Sequence, residues 1–265
     1  MTVAGRGAQM QRQSSRDPPN LRGRTVVITR PAGTASALAR RVRALGGVPL
    51  LLPGLALRGV TDVAAVRNGL HAALAAELIV FTSPAAVRHA AALAPLRTTA
   101  AVLAVGQGTA RALRRYGIAA PLAPQRQDSE GLLDHPGLRE LHGRRVALIG
   151  APGGRGVLRE QLAARGAQLQ EVHVYRRLPP RLDRRHVEAL LRLPSSARVL
   201  LSSAEALHNL QQSLPAAAWT RLCAAIAVAS SERLATAARA AGFARIVPAA
   251  SALSADLLDA AARAG

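Results

Sequence analysis

Lysine is missing from this sequence: all 35 basic residues are arginine. A Walker-type phosphate loop uses a lysine to reach the phosphates, so that class of nucleotide site is excluded. Cysteine is nearly missing. Cys223 stands alone, which rules out an intramolecular disulfide and fits a reducing cytoplasm. Aromatics are scarce, with two tyrosines, two phenylalanines and one tryptophan. A single-strand nucleic-acid binder stacks bases on rings beside its arginines, and this chain offers few. No apolar run approaches the roughly 20 residues of a membrane span. The first 20 residues are polar, carry Arg6, Arg12 and Arg16, and hold no apolar core. They are no secretory signal, and a disordered tail or a mis-set start is expected there. The seven histidines have no metal-ligand spacing, so no metal is expected.

What is present is a globular composition, with 49% hydrophobic residues in 265. The net charge of +20 accompanies abundant alanine, the joint signature of a GC-rich coding sequence. Its physical consequence is a field that attracts polyanions, whether nucleic acid, membrane surface or a small polycarboxylate.

The chain also repeats itself. Val26-Val27-Ile28-Thr29-Arg30-Pro31-Ala32-Gly33 recurs as Val146-Ala147-Leu148-Ile149-Gly150-Ala151-Pro152-Gly153. Phe81-Thr82-Ser83-Pro84-Ala85 recurs as Leu201-Ser202-Ser203-Ala204-Glu205. Ala104-Val105-Gly106-Gln107-Gly108-Thr109 matches Ala227-Val228-Ala229-Ser230-Ser231-Glu232. A duplication of this size predicts two similar domains, with a ligand cleft between them. Short β-branched runs alternate with helical patterns: strands at 25–28, 48–52, 78–81, 101–105, 146–149, 169–174, 199–201, 226–228 and 246–248. The architecture predicted is α/β, with parallel sheets covered by helices. Thr34 or Ser36 is expected to cap the first helix and Ser83 the third strand's helix. Ligands of such sheets bind beyond the carboxyl ends of the strands. The turns at 29–33, 82–85, 106–109, 150–154, 202–204 and 229–232 are therefore the ones to watch.

Gly106-Gln107-Gly108 starts like a dinucleotide fingerprint, but Arg111 occupies the third glycine position and no acidic residue follows at the right distance. Ser83 and Ser203 read most simply as helix caps, since no G-x-S-x-G elbow surrounds either. Tyr175 stands apart, a rare tyrosine in Val172-His173-Val174-Tyr175-Arg176-Arg177 just before Pro179-Pro180.

Together these elements resemble the uroporphyrinogen-III synthase family, over about residues 22–262. The resemblance is carried by Val27-Ile28-Thr29-Arg30-Pro31, Gly46-Gly47-Val48-Pro49, Phe81-Thr82-Ser83-Pro84-Ala85-Ala86-Val87, Gly106-Gln107-Gly108-Thr109, Asp128-Ser129-Glu130-Gly131-Leu132-Leu133 and Val174-Tyr175-Arg176-Arg177. It implies two flavodoxin-like parallel-sheet domains joined by a two-stranded linker: 21–54 with 176–265 as one domain, 55–175 as the other, after a tail at 1–20. The crossing segments would be Leu50 to Pro53 and Val172 to Leu178. Periodicity alone equally allows two contiguous domains divided near Gly143.

The resemblance implies a lyase that closes hydroxymethylbilane to uroporphyrinogen III, inverts ring D and releases water, with no cofactor. The substrate carries eight carboxylates, which suit helix starts and a positive field. Tyr175 corresponds to the family's linker tyrosine, the candidate for assisting departure of the hydroxyl. Ser83, Pro84 and Ala85 match its strand-end segment and Thr109 its turn threonine. Arg30, Ser203 and Ser231 are the expected binding residues in the other domain. There Ala229-Ser230-Ser231-Glu232 departs from the family's threonines, and Glu232 is awkward beside a polyanion. A cytoplasmic monomer that binds neither membrane nor nucleic acid, and takes its substrate from the preceding pathway enzyme, is implied. The competing readings are a non-catalytic two-domain ligand-binding or regulatory module of the same fold and, from charge alone, a nucleic-acid binder.

Overall fold

The computed structural model describes residues 20–126, 129–153 and 156–264. The tail expected at the start (residues 1–19), Asp128 of the Asp-Ser-Glu-Gly motif and Gly154 of the second-half turn lie outside the described residues.

The chain opens with β1 (Thr25–Ile28), α1 (Ser36–Ala44) and β2 (Val48–Leu51). β1 is apolar and buried from Val26 to Ile28, as a parallel strand covered on both faces must be. α1 buries Leu38, Ala39 and Val42 and is stopped at Gly46, which takes φ +81°, a conformation that costs glycine nothing. Neither expected hydroxyl caps α1. Ala35 occupies the N-cap, and Thr34 Oγ1 instead donates to the Pro31 carbonyl at 2.7 Å, closing the turn before it.

Next come β3 (Ala56–Gly59), α2 (Val63–Leu74), β4 (Leu78–Phe81), α3 (Pro84–Leu93), β5 (Ala101–Ala104), α4 (Gln107–Arg115), α5 (Ser129–Leu133), β6 (Arg145–Gly150), α6 (Val157–Ala164), β7 (Gln168–His173) and β8 (Tyr175–Leu178). The chain closes with α7 (Arg184–Leu191), β9 (Arg198–Leu201), α8 (Ala204–Ser213), α9 (Ala216–Cys223), β10 (Ile226–Ala229), α10 (Glu232–Ala240), β11 (Arg245–Pro248) and α11 (Ser254–Arg263). No helix among the described residues is long and apolar enough to cross a membrane.

These elements fall into two compact units, one of the described residues up to Gly54 with those from Pro180 onward, the other Leu55–Pro179. The first holds a five-stranded sheet, β11-β10-β9-β1-β2, parallel throughout. The second holds β5-β4-β6-β7, also parallel. An isolated parallel bridge, Leu103 to Leu122, stands beside β5 where a fifth strand would lie. The antiparallel ribbon β3–β8, in which Gly59 faces Tyr175, belongs to the same unit. The first crossing segment is thus not Leu50 to Pro53. Leu50 and Leu51 are already paired with β1 and Leu52 is buried in the core, so the ribbon forms only after Gly54.

Read along its sheet, the first unit has the doubly wound order 2-1-3-4-5. The second has the same order if β6 is counted first. Each sheet therefore takes its first strand pair from one sequence repeat and the remaining strands from the other. The pairings also realign the repeat. Phe81 lies beside Ala104 and Leu201 beside Ala229, so Ala104 corresponds to Ala229 rather than Ala227. Gly106 and Ser231 then become equivalent N-caps. Thr109 corresponds to Leu234 rather than Glu232, and both are 3% exposed.

Alternation along the first unit's strands fills both faces of its sheet. Val27, Val199 and Leu201 pack with Leu210, Leu222 and Phe243, while Val26, Ile28 and Leu200 pack with Val42, Leu257 and Leu258. Gly54 touches α8 so closely that a Cβ there would sit 2.6 Å from Ala206 Cβ and 2.8 Å from its carbonyl oxygen. Gly54→Ala is expected to cost about 1–3 kcal/mol through overpacking, read as a lower urea midpoint at unchanged slope. An unmoved midpoint would show that α8 gives way freely.

Candidate active site

In the Leu55–Pro179 unit the strand order reverses between β4 and β6. Ligands of doubly wound sheets bind at such a point, outside the carboxyl ends of the strands. A cavity of about 640 Å³ opens there, and its lining includes Thr82, Ser83, Gly150, His173, Tyr175 and Arg177.

Its floor is tightly built. Thr82 follows β4, and both its N–H (3.1 Å) and its Oγ1 (3.3 Å) donate to the Ile149 carbonyl. Gly150, the last residue of β6, passes so near that a Cβ would lie 2.5 Å from Thr82 Oγ1. Beyond it Gly153 turns with φ +72°, and Arg177 Nη2 donates to the Pro152 carbonyl at 3.1 Å.

Ser83 caps α3, accepting the Ala86 N–H at 3.0 Å. The same oxygen lies 3.1 Å from the Tyr175 hydroxyl. One lone pair of Ser83 is committed to the helix, which leaves its proton and its other lone pair for Tyr175. The Tyr175 ring is 6% exposed and stacks on His89 of α3, with centroids 5.2 Å apart and planes at 16°. Burial, then the charge of Arg88, holds the His89 imidazole below its ordinary pKa, which favours the neutral ring. Tyr175, the first residue of β8, is thereby held at its hydroxyl by the cap of α3 and on its ring by His89.

A carboxylate–imidazole contact and an ion pair belong to the same lining. His173 Nε2 lies 3.7 Å from Glu171 on β7, and Arg159 Nη2 lies 3.7 Å from its neighbour Glu160 on α6. Among the described residues no cluster of three or more potential metal ligands occurs.

The family model for uroporphyrinogen-III synthase HemD matches residues 36–259. The chain belongs to the uroporphyrinogen-III synthase family. The family's enzymes are cyclising hydro-lyases. Uroporphyrinogen-III synthase of Salmonella typhimurium is 30% identical over 234 residues, spanning 83% of this chain and 92% of the relative. A mutant uroporphyrinogen III synthase of Thermus thermophilus superimposes with a TM-score of 0.58 at 26% identity, covering 91% of this chain and 98% of that one. The Helicobacter pylori enzyme, at 14% identity and a TM-score of 0.57 over 89% and 97% of the two chains, shares the fold.

Within this member of the uroporphyrinogen-III synthase family, the residues singled out from sequence separate into three groups. Ser83 and Tyr175 meet in the cavity lining. Pro84, at the first position of α3, Ala85 in the core and Thr109 in the first turn of α4 are not among the described lining residues. Arg30, Ser203 and Ser231 belong to the other unit. Burial lowers the Arg30 pKa, and its Nη2 donates to Ser254 Oγ at 3.2 Å, tying the turn after β1 to the start of α11. Ser203 caps α8, accepting the Ala206 N–H at 3.2 Å. Ser231 caps α10, accepting the Leu234 N–H at 3.3 Å, and Glu232 beside it is exposed. Sequence reasoning missed the Glu171–His173 pair, His89 and Arg159. The one available signal was the spacing of Glu171, His173 and Tyr175 at every second residue.

Proposed function

We propose that this protein closes hydroxymethylbilane to uroporphyrinogen III, inverting ring D and releasing water, at the strand-end cavity of the Leu55–Pro179 unit. The observation that carries the reading is the family match over residues 36–259. The cavity holding Ser83 and Tyr175 at the point where the strand order reverses supports the placement.

The bilane closes on its own without inversion, so the protein has to hold a flexible chain with the substituted carbon of ring D against the reactive methylene. Departure of the hydroxyl gives an electrophilic azafulvene. Ring D attacks through its substituted carbon, the spirocyclic product fragments, and recombination leaves ring D reversed. Water is lost without net oxidation or reduction, so the chemistry calls for no redox cofactor.

Tyr175 offers a hydrogen bond to the departing oxygen, and Ser83 holds the phenol in place. Arg159 and Arg177 face the acidic side chains of the bilane. In the first turn of α3 Pro84 has no N–H and the Ala86 N–H is held by Ser83, so the Ala85 N–H is the one offered to a carboxylate. Thr109 fixes the neighbouring α4, while Arg30, Ser203 and Ser231 mark the corresponding strand ends of the other unit. We place the protein in the cytoplasm as a monomer supplied by the enzyme that makes the bilane, without membrane or nucleic-acid partners. Its lone cysteine suits a reducing compartment.

The test supplies freshly made hydroxymethylbilane and separates the isomer I and III products by chromatography. Isomer III in excess of isomer I is expected. Isomer I alone, from folded protein at saturating substrate, would overturn the reading.

A further inference from the structure

We infer that His173, beside Glu171 in the cavity lining, carries the proton of this reaction in both directions, giving it to the departing hydroxyl and recovering it from ring D. The inference rests on the function proposed above.

The proton balance of that reaction defines the task. The carbon–oxygen bond breaks, the oxygen keeps the electron pair, and with one added proton it leaves as water. The substituted carbon of ring D then bonds to the freed methylene. Its bond to the neighbouring bridge carbon breaks, with the pair returning to ring D. Ring D next bonds to that bridge carbon through its unsubstituted carbon, which must lose its hydrogen as a proton. One proton goes in at the start and one comes out at the end. A single group that is acid first and base afterwards serves both steps and ends as it began. At neutral pH such a group works best with a pKa near 7, the range of imidazole.

The cavity contains such a group. Glu171 and His173 alternate with buried Val172 on β7, so both side chains leave the strand on the same face. Both line the cavity with Tyr175 and Ser83, and His173 is accessible, its side chain 45% exposed. A carboxylate in a site for an acid-rich ligand repels that ligand unless it is neutralised. Glu160 has Arg159 beside it at 3.7 Å, and Glu171 has His173 at 3.7 Å. Among the described lining residues His173 is the one imidazole, and Glu171 is the acid beside it. The other charged and titratable groups lining the cavity are Arg159 and Glu160 on α6 and Tyr175 and Arg177 on β8. Tyr175 is then the hydrogen-bond donor that keeps its proton, and His173 is the group that transfers one.

The test follows isomer III formation from fresh hydroxymethylbilane against pH for the wild type, His173→Gln and Glu171→Gln. The wild-type kcat is expected to fall on the alkaline side, as His173 loses its proton. His173→Gln should lower kcat about 10²-fold, leave KM within about twofold and abolish that alkaline limb. Glu171→Gln, which leaves the imidazole in place, should keep the limb. Circular dichroism of each variant checks the fold. A wild type that makes isomer III and a His173→Gln protein with the same kcat and pH profile would overturn this inference alone. A wild type yielding only isomer I would overturn it together with the proposed function.

Discussion

Arg198→Ala is expected to destabilise the protein by about 3 kcal/mol or more, the largest loss from any single polar side chain outside the cavity. Arg198 begins β9, between Val26 of β1 and Ile226 of β10, and is only 1% exposed. Its guanidinium works entirely on carbonyl groups. Nε donates to Ala261 at 3.1 Å, Nη1 to Ser196 and Nη2 to Ala264. Ala261 and Ala264 lie in and just after the last turn of α11, where helical carbonyls lack intrahelical partners and the helix dipole favours a cation. Arg24 Nη1 reaches the Ala264 carbonyl too, at 3.1 Å. Truncation strands the buried Ala261 carbonyl and leaves Ala264 to Arg24, and hydrogen bonds to a charged group contribute about 1.5–3 kcal/mol each. Arg198→Lys keeps the charge but lacks the planar fork, so it should recover only part of the loss. Urea unfolding reads both variants. An alanine variant with a wild-type midpoint would mean that water replaces the guanidinium without cost.

Arg198 also marks the limit of what the sequence discloses. In Arg198-Val199-Leu200-Leu201 the arginine looks like the solvated start of a buried strand. It is buried because the end of a helix some 60 residues later arrives over it, and no local pattern records that. The buried strands were legible because a parallel strand covered on both faces must be a short apolar run, as in Leu78 to Phe81. α2 and α7 were not. Half of α2 is alanine and valine, which blurs the apolar stripe, and α7 is led by arginines. Their clearest signals were the N-caps Asp62 and Asp183. The ribbon residues 56–59 and 175–178 carry three arginines and lack strand-like patterning.

The candidate site divides in the same way. Ser83 and Tyr175 were visible one at a time, as a strand-end serine and a rare tyrosine. Their contact joins residues 92 positions apart and depends on which strands neighbour β4. The Thr109 alignment failed because it counted along the chain, whereas the pairing of Phe81 with Ala104 and of Leu201 with Ala229 sets the true equivalence.

Tyr175→Phe is expected to lower kcat for isomer III about 10²-fold, the usual effect of losing one oriented donor to charge that develops in the transition state. Phenylalanine preserves the ring and its stacking on His89, so the fold should be little changed. Ser83→Ala should lower kcat less, by roughly tenfold, since the phenol keeps its proton but loses the 3.1 Å contact that aims it. That variant also gives up the cap on α3, at a cost of about 1 kcal/mol of stability, which a urea midpoint separates from the kinetic effect. The double variant is the decisive measurement. Once the phenol is gone, Ser83 has no hydroxyl left to position, so Tyr175→Phe with Ser83→Ala should be no slower than Tyr175→Phe alone. Residues that act through one hydrogen bond are not additive, whereas separate contacts with the substrate are. Independent losses that multiply would place Ser83 directly on the bilane and break the link between the helix cap and the phenol. Losses that merge would fix the order of support: α3 holds Ser83, and Ser83 holds Tyr175.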